Sequence, residues 1–328
     1  MTPLLRMAAI DFLNPAPLMW NFEHPPAAER LHQRYAIEKM SPAACAAALD
    51  SGTADIGLIP IGAYASTPGL AIVPGCAIAS LGSIRSLLLV IRASRTHESA
   101  NENTAENIVS HQERADWRST NEPDEEPDLT SPTAAELARI HTVALDTASR
   151  TSALYTQILF RRFWDHTPAF INHAPQLDAM LSTADAALLI GDPALYALRD
   201  RTARQARTGE CLRYLDLGHL WRQATGTAWV SAFWAVREAG LVGLSTEERR
   251  AIPEDLRQSR DAGLAHLPEL VAEWAPRLGL RAQTVQTYLS RNIHYFLDDS
   301  AIAGIKRFFT EAYALQLIPT MPSMHWLD

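Results

Sequence analysis

Short apolar runs and punctuated helical segments take turns along the first part of the chain, and this alternation narrows the fold more than any other feature. "LRMAAIDF" reads as a first strand and "RYAIEKM" as a second. Ser41 followed by Pro42 opens a helix that "AACAAALD" carries to Gly52. A Ser before a Pro at the start and a Gly at the end are helix punctuation. "ADIGLIPI" is a third strand ending at Pro60, "LAIVPGCAIAS" is another extended piece, and "SIRSLLLVIR", Ser83 to Arg92, is a long β-type run. Strands interleaved with helices predict a parallel α/β sheet.

The pattern then breaks. From about residue 94 to 135 the chain is polar and acidic, with the run "EPDEEPD" and almost nothing that could enter a core. Such a stretch is expected to be a disordered insertion, and its charge run a solvated loop. Order returns with "AAELARI" as a helix and "HTVALD" as a strand. "TASRTSALYTQILFRRFW" is a helix with Leu154, Ile158, Phe160 and Phe163 on its apolar face. "PAFINHA" is a strand, "PQLDAMLST" a helix, "DAALLIGDPALYAL" a strand, turn and helix, and "WVSAFWAVR" an apolar strand. Beyond Glu238 the chain reads as helical almost to its end.

This order predicts an α/β protein of two lobes. Residues 1–88 plus 236–328 form lobe one with a helical tail, and 89–235 form lobe two. With 328 residues, 47% of them hydrophobic, each lobe can have its own core. Two crossings and a cleft between lobes are the plan of type II periplasmic-binding-type folds, in which ligands sit beyond the carboxyl ends of the strands.

Charge and composition exclude several roles. The net charge is −8, and no basic face large enough for phosphate backbones is evident, so nucleic acid is not an expected partner. Cys45, Cys76 and Cys211 show neither CxxC nor metal spacing, and three scattered cysteines are expected as small buried groups. The eleven histidines form no HExxH, and no P-loop, GxGxxG or GxSxG occurs, so neither metal nor cofactor is expected. Arg6 and Asp11 interrupt the start too soon for a signal-peptide core, and no stretch approaches a membrane helix. The expectation is a soluble cytoplasmic monomer or homodimer that acts on a small molecule.

Four loops fall at strand ends and could line the cleft: 12–17, 60–64, 79–86 and 147–152. All are rich in small polar residues. In the first, "DFLNPAPLMW", two prolines stop any sheet ladder and leave Asn14 on a stiffened turn. In the last, Thr147, Ser149, Thr151 and Ser152 crowd a helix start beside Arg150. Hydroxyls, free N–H groups and the positive end of a helix dipole suit a carboxylate or phosphate, although N-capping alone also uses such residues. Both readings stand open from the residues. Ser86 and Arg85 lie at a crossing, where a plain turn with a solvated Arg is the simpler reading. Asp192 is placed to cap the helix beginning at Pro193. His219 and His294 are each candidate bases, although a lone His is usually structural.

In this order the motifs resemble the MqnA family, the chorismate dehydratases of the futalosine route to menaquinone. "IDFLNPAPLMW" is similar to the family's strand-one signature, "SGTADIGLIPIGAYAS" to its second and "CAIASLGSIRSLLLVIR" to its third. "ALDTASRTSALYTQILF", "DAALLIGDPAL", "LDLGHLWRQATGTAWVSAFWAV" and "YLSRNIHYFLDDSAIAGIKRFFTEAYALQLIP" continue the likeness. It covers nearly the whole chain except about 94–135, and departs at Pro15, where relatives carry Thr or another small residue. The resemblance implies loss of water from chorismate to give 3-[(1-carboxyvinyl)oxy]benzoate. Asn14 and Ser86 match positions implicated at the family's active site and are the expected catalytic residues; we assign Asn14 to the reacting C3/C4 region, Ser86 to a substrate contact and the hydroxyls of "TASRTS" to a carboxylate. The expected substrate-binding set is Pro60, Ile61, Ser83, Arg85, Thr147, Ser149, Arg150, Thr151 and Ser152. A neutral amide is a poor general base, so a substrate carboxylate is the candidate for that role. Two other readings stand beside this one. One is a non-catalytic small-anion-binding protein of the same fold. The other is an enzyme like the sister MqnD group, which would need an essential histidine.

Overall fold

The computed structural model describes residues 4–93 and 125–328, and in it the chain builds two mixed sheets. The first sheet takes strands β1 (Leu5–Ile10), β2 (Tyr35–Met40), β3 (Ile56–Pro60), β4 (Leu70–Ser80), β10 (Trp229–Arg237) and β11 (His294–Leu297), in the order β11-β4-β10-β3-β1-β2. The second takes β5 (Leu87–Arg92), β6 (Thr142–Asp146), β7 (Ala169–His173), β8 (Ala186–Ile190) and β9 (Leu212–Asp216), in the order β7-β6-β8-β5-β9. The boundaries expected after residues 88 and 235 fall inside β5 and β10; pairing takes β5 whole into the second sheet and β10 whole into the first.

The parallel expectation holds for part of each sheet. β1 runs parallel to β2 and β3, and β6 parallel to β7 and β8. The crossing strands run the other way. Leu87 at the start of β5 pairs with Ile190 at the end of β8, and Ala232 near the start of β10 pairs with Pro60 at the end of β3. A chain arriving from the other lobe enters a sheet at the carboxyl ends of its parallel strands, so it must run antiparallel. Those carboxyl ends therefore face the gap between the two sheets.

Local signals explain several elements. Ser41 caps the helix Pro42–Ser51 through its side chain, and Gly52 ends it at φ 72°. The prolines after Asn14 do more than stop a strand. Pro15 precedes and Pro17 lies within the first turn of the helix Ala16–Glu23, where a missing N–H costs nothing. This helix packs on the long helix Thr246–Ala265, so closely that a Cβ on Gly263 would meet the Pro17 carbonyl oxygen at 2.1 Å.

Some expectations are corrected. The run Ser83–Arg92 is strand only from Leu87; residues before it turn sharply, with Arg85 at φ 65°. The tail contains the short edge strand β11 as well as helices. Of the stretch expected to be a disordered insertion, residues 94–124 lie outside the described residues. Its later part is ordered. Pro127 is buried, Asp128 bridges to Leu215 and accepts a hydrogen bond from the Tyr214 N–H at 2.6 Å, and Thr133 with Glu136 forms a capping box. Buried Glu136 pairs with buried Arg213 at 2.8 Å, which anchors the segment to β9. Polar composition hid this, because each charge is satisfied by a partner remote in sequence.

Where the lobes meet, an aromatic cluster joins them. Tyr155, on the helix Arg150–Ile158, stacks on Trp229 of β10 at 3.6 Å and meets Trp221 edge-on at 4.7 Å. The Tyr155 hydroxyl accepts a hydrogen bond from the Val230 N–H at 3.3 Å. Each such ring pair adds about 0.5–1.5 kcal/mol beyond its buried area. Trp221, Trp229, Trp234 and Phe233 are all fully buried. Among the described residues no helix is long and apolar enough to cross a membrane.

Candidate active site

A pocket lies between the sheets, lined from both. β1 delivers Ile10, and the turn after it delivers Phe12 and Asn14. Pro60 ends β3, Ile78 comes from β4, and Ser231 and Ala232 come from β10. The crossing turn supplies Ile84, Ser86 and Leu87, and the second sheet's side supplies Ser149, Ser152, Ile190 and Gly191. Among the described residues the lining contains no Asp, Glu, His, Lys or Arg. Its side-chain polar groups are one amide and four hydroxyls.

Each of these groups is set by local chemistry. The turn holding Asn14 is closed by the Ala16 N–H to the Leu13 carbonyl at 3.1 Å and the Leu18 N–H to the Pro15 carbonyl at 2.8 Å. Asn14 Oδ1 is buried and has no hydrogen-bond partner among the described residues. Ser86 Oγ accepts from the Tyr288 hydroxyl at 2.7 Å, and the Ser86 carbonyl accepts from the Gly191 N–H at 2.8 Å. Ser231 Oγ accepts from Trp229 Nε1 at 2.9 Å. Ser149 caps its helix, accepting from the Ser152 N–H at 3.4 Å. Three helices, Ala16–Glu23, Arg150–Ile158 and Asp192–Arg199, begin beside these lining residues. Their positive ends favour an anion by about 0.3–1 kcal/mol each at an exposed terminus and more in a partly buried one.

Of the residues expected in the site, Asn14, Ser86, Pro60, Ser149 and Ser152 line the pocket together. The others have different work. Thr151 is fully buried and accepts the Gly62 N–H at 2.8 Å, linking the lobes. Ile61, beside it, is core. Thr147 and Arg150 are exposed and absent from the lining. Ser83 donates to Asp216 at 2.7 Å, and the same carboxylate accepts the Ile84 N–H at 2.9 Å and the Arg85 N–H at 2.7 Å. The Arg85 guanidinium is buried and turned away to Glu126 at 2.5 Å and the Glu125 carbonyl at 2.8 Å. Ser83, Arg85 and Asp216 thus shape the turn that presents Ser86.

Asp192 is not the cap. Gly191 holds that position, and Asp192 Oδ1 accepts the Leu13 N–H at 3.1 Å across the cleft. Burial first, with Asp11 nearby, pushes its carboxyl up to about 6. Asp146, at the end of β6, is also raised by burial, and it receives the Ala148 N–H at 2.8 Å and the Ile190 N–H at 3.3 Å. Neither His219 nor His294 lines the pocket; His294 pairs with Asp298 at 2.8 Å. Sequence reasoning missed Ser231, Tyr288, Gly191 and Asp216. Only Ser231 left a signal, as the single hydroxyl in the apolar run "WVSAFWAVR".

Two α/β lobes with a pocket at the strands' carboxyl ends define a fold of the periplasmic-binding-protein type. Solved structures agree on the fold. An Archaeoglobus fulgidus protein superposes with a TM-score of 0.61 at 15% identity, covering 96% of this chain and 98% of its own. The periplasmic aliphatic sulphonate binding protein of Escherichia coli gives 0.60 at 15% identity, covering 99% and 91%. A Candida albicans gene product described as having the generic periplasmic binding protein fold gives 0.60 at 12% identity, covering 99% and 98%.

Within that class the chain belongs to the menaquinone biosynthesis family, whose model matches residues 5–115 and 127–314. A chorismate dehydratase of Thermus thermophilus is 32% identical over 191 residues, a stretch that spans 56% of this chain and 66%, just under two thirds, of that relative's length.

Proposed function

We propose that the protein is a chorismate dehydratase, a hydro-lyase that removes water from chorismate on the futalosine route to menaquinone. Membership of the menaquinone family and the likeness to a dehydratase support this reading. The observation that carries it is the pocket lining, which among the described residues offers hydroxyls, an amide and helix N-termini but no ionisable side chain. That set suits a substrate that brings its own charge and its own base.

Chorismate carries two carboxylates, and its C3 proton is acidified through the ring carboxylate. In the reaction the C3–H electron pair forms the last ring double bond as the C4–O bond breaks. The C4 hydroxyl leaves and departs with one proton as water. The ring becomes aromatic, which drives the step. The protein's share is positioning and electrostatic stabilisation. We assign the Ser149 and Ser152 hydroxyls to one carboxylate and Ser86 to a further substrate contact. Asn14 is assigned to the C3/C4 region, where its amide can both accept and donate. A substrate carboxylate is the proton acceptor.

Purified protein incubated with chorismate is expected to yield an aromatic product lighter by one water, read by ultraviolet absorbance and mass. Well-folded protein that leaves chorismate untouched would overturn the reading.

A further inference from the structure

Two serines of the pocket share an arrangement that binding alone does not require. Ser86 Oγ receives the hydroxyl proton of Tyr288 at 2.7 Å, and Ser231 Oγ receives the indole N–H of Trp229 at 2.9 Å. Both donors are core residues, Tyr288 exposed by 1% and Trp229 by 0%. The two come from different places, Trp229 from β10 and Tyr288 from the π-helical turn Tyr288–Asn292. Such turns often occur at functional sites.

The direction of these bonds has a consequence. An indole N–H can only donate, so Ser231 must accept. Burial keeps the Tyr288 hydroxyl protonated, and among the described residues Ser86 Oγ is its one hydrogen-bond partner, so that proton goes to Ser86. A serine hydroxyl holds one proton and can accept from elsewhere. With a fixed donor on its accepting side, its own proton points away from that donor. Both serines line the pocket, and the hydrogen bonds among the described residues give neither proton a protein acceptor. A donating hydroxyl matches a carboxylate, to which its bond is charge-assisted; a neutral carbonyl accepts it more weakly, and an amide N–H not at all.

We propose that Tyr288 and Trp229 are positioning residues that hold Ser86 and Ser231 as hydrogen-bond donors into the pocket, and so select carboxylate over neutral groups on the ligand. The dehydratase reading supplies only the identity of the carboxylates; the polarity of the pocket stands apart from it.

Binding of isophthalate and of its neutral diamide, isophthalamide, to the full chain by calorimetry tests this. Wild type is expected to prefer the dicarboxylate. Tyr288→Phe, which removes one oxygen, is expected to lower that preference by about tenfold or more, the worth of a charge-assisted hydrogen bond. Its thermal midpoint should stay close to that of wild type. Ser86→Ala is expected to cause the same loss, and the double variant no more than either alone, because Tyr288 acts only through Ser86. Trp229→Phe with Ser231→Ala gives an independent second cycle. No preference in wild type, an undiminished preference in Tyr288→Phe, or losses that add would each overturn the proposal. Chorismate turnover is scored separately. Preference without turnover sinks the dehydratase reading alone, and turnover with an unchanged preference in Tyr288→Phe sinks this one alone.

Discussion

Leu13 donates its backbone N–H to Asp192 Oδ1 at 3.1 Å, tying the turn that holds Asn14 to the first residue of a helix on the opposite lobe. Other hydrogen bonds cross with it, among them those of Arg199 Nη1 to the Leu278 carbonyl at 3.3 Å and the Gly279 carbonyl at 3.4 Å. Gly62 N–H reaches Thr151 Oγ1 at 2.8 Å, Ala43 N–H reaches the Ala148 carbonyl at 3.1 Å, and Val230 N–H reaches the Tyr155 hydroxyl at 3.3 Å. Lobes that part on a hinge must break these bonds. Among them only the Asp192 bond has an acceptor that titrates near neutral pH.

That titration gives a pH prediction. The Asp192 carboxyl sits at about 6 in the folded protein against an ordinary value of 3.8. Its folded value is the higher, so between the two the native state binds more protons than the unfolded state. The stability this group contributes is therefore fully present below about pH 4 and is lost as pH rises through about 6. Asp192→Asn keeps an oxygen for the Leu13 N–H and does not titrate. Urea denaturation of both proteins should show wild type losing up to about 3 kcal/mol relative to the variant between about pH 4 and 7. A difference that stays flat across that window would show that burial does not hold Asp192 neutral.

Asn14→Ala tests the centre of the proposed site. Asn14 Oδ1 has no partner among the described residues, so truncation removes no hydrogen bond to them through that atom. Stability is expected to change by less than about 0.5 kcal/mol, as at positions without a structural role. The specificity constant for chorismate is expected to fall by about 100-fold or more, the usual effect of losing a preorganised polar group at a reacting centre. Kinetics and thermal melting on one preparation separate the two effects. Wild-type rates in Asn14→Ala would remove Asn14 from the chemistry.

How much of this could be read in advance depended on where the partners lie along the chain. The helix Pro42–Ser51 was legible because Ser41, Pro42 and Gly52 act on their immediate neighbours. Asn14 and Ser86 were legible as polar residues at strand ends. In the "TASRTS" segment, periodicity divides the residues. Ser149 and Ser152 are three apart and share the face toward the pocket, whereas Arg150 points to solvent. Composition alone treated them as one cluster. Arg85 looked like a surface or ligand cation because its partner, Glu126, lies in a stretch whose composition suggested disorder. Tyr288 lies 202 residues from Ser86, and no local rule links them.

Gly191 is a position where only the missing side chain fits. Its φ of 62° and ψ of −143° belong to a region that side-chain-bearing residues avoid, and an added Cβ would lie 2.8 Å from the Phe12 ring. Gly191→Ala is expected to cost about 2 kcal/mol or more from backbone strain and overpacking together. Combining it with Phe12→Leu, which removes the ring, should return the overpacking share and leave the strain. Denaturation of the two single variants and the double measures that coupling. Strict additivity would mean that the ring moves aside freely.

Thr151 was expected to touch substrate, and the structure gives it another task. It is fully buried, and its Oγ1 accepts the Gly62 N–H at 2.8 Å, so its oxygen is committed to the contact between lobes. Thr151→Val keeps the shape and deletes the acceptor, leaving a buried N–H unpaired at a cost of about 1–3 kcal/mol. Thr151→Ser keeps the oxygen and loses only a methyl group, so it should retain most of the stability that Val loses. The two substitutions separate hydrogen bonding from packing at one site. If Thr151→Val melted like wild type but raised KM for chorismate tenfold, Thr151 would be a ligand contact after all, and the bond to Gly62 would not be what keeps its hydroxyl in place.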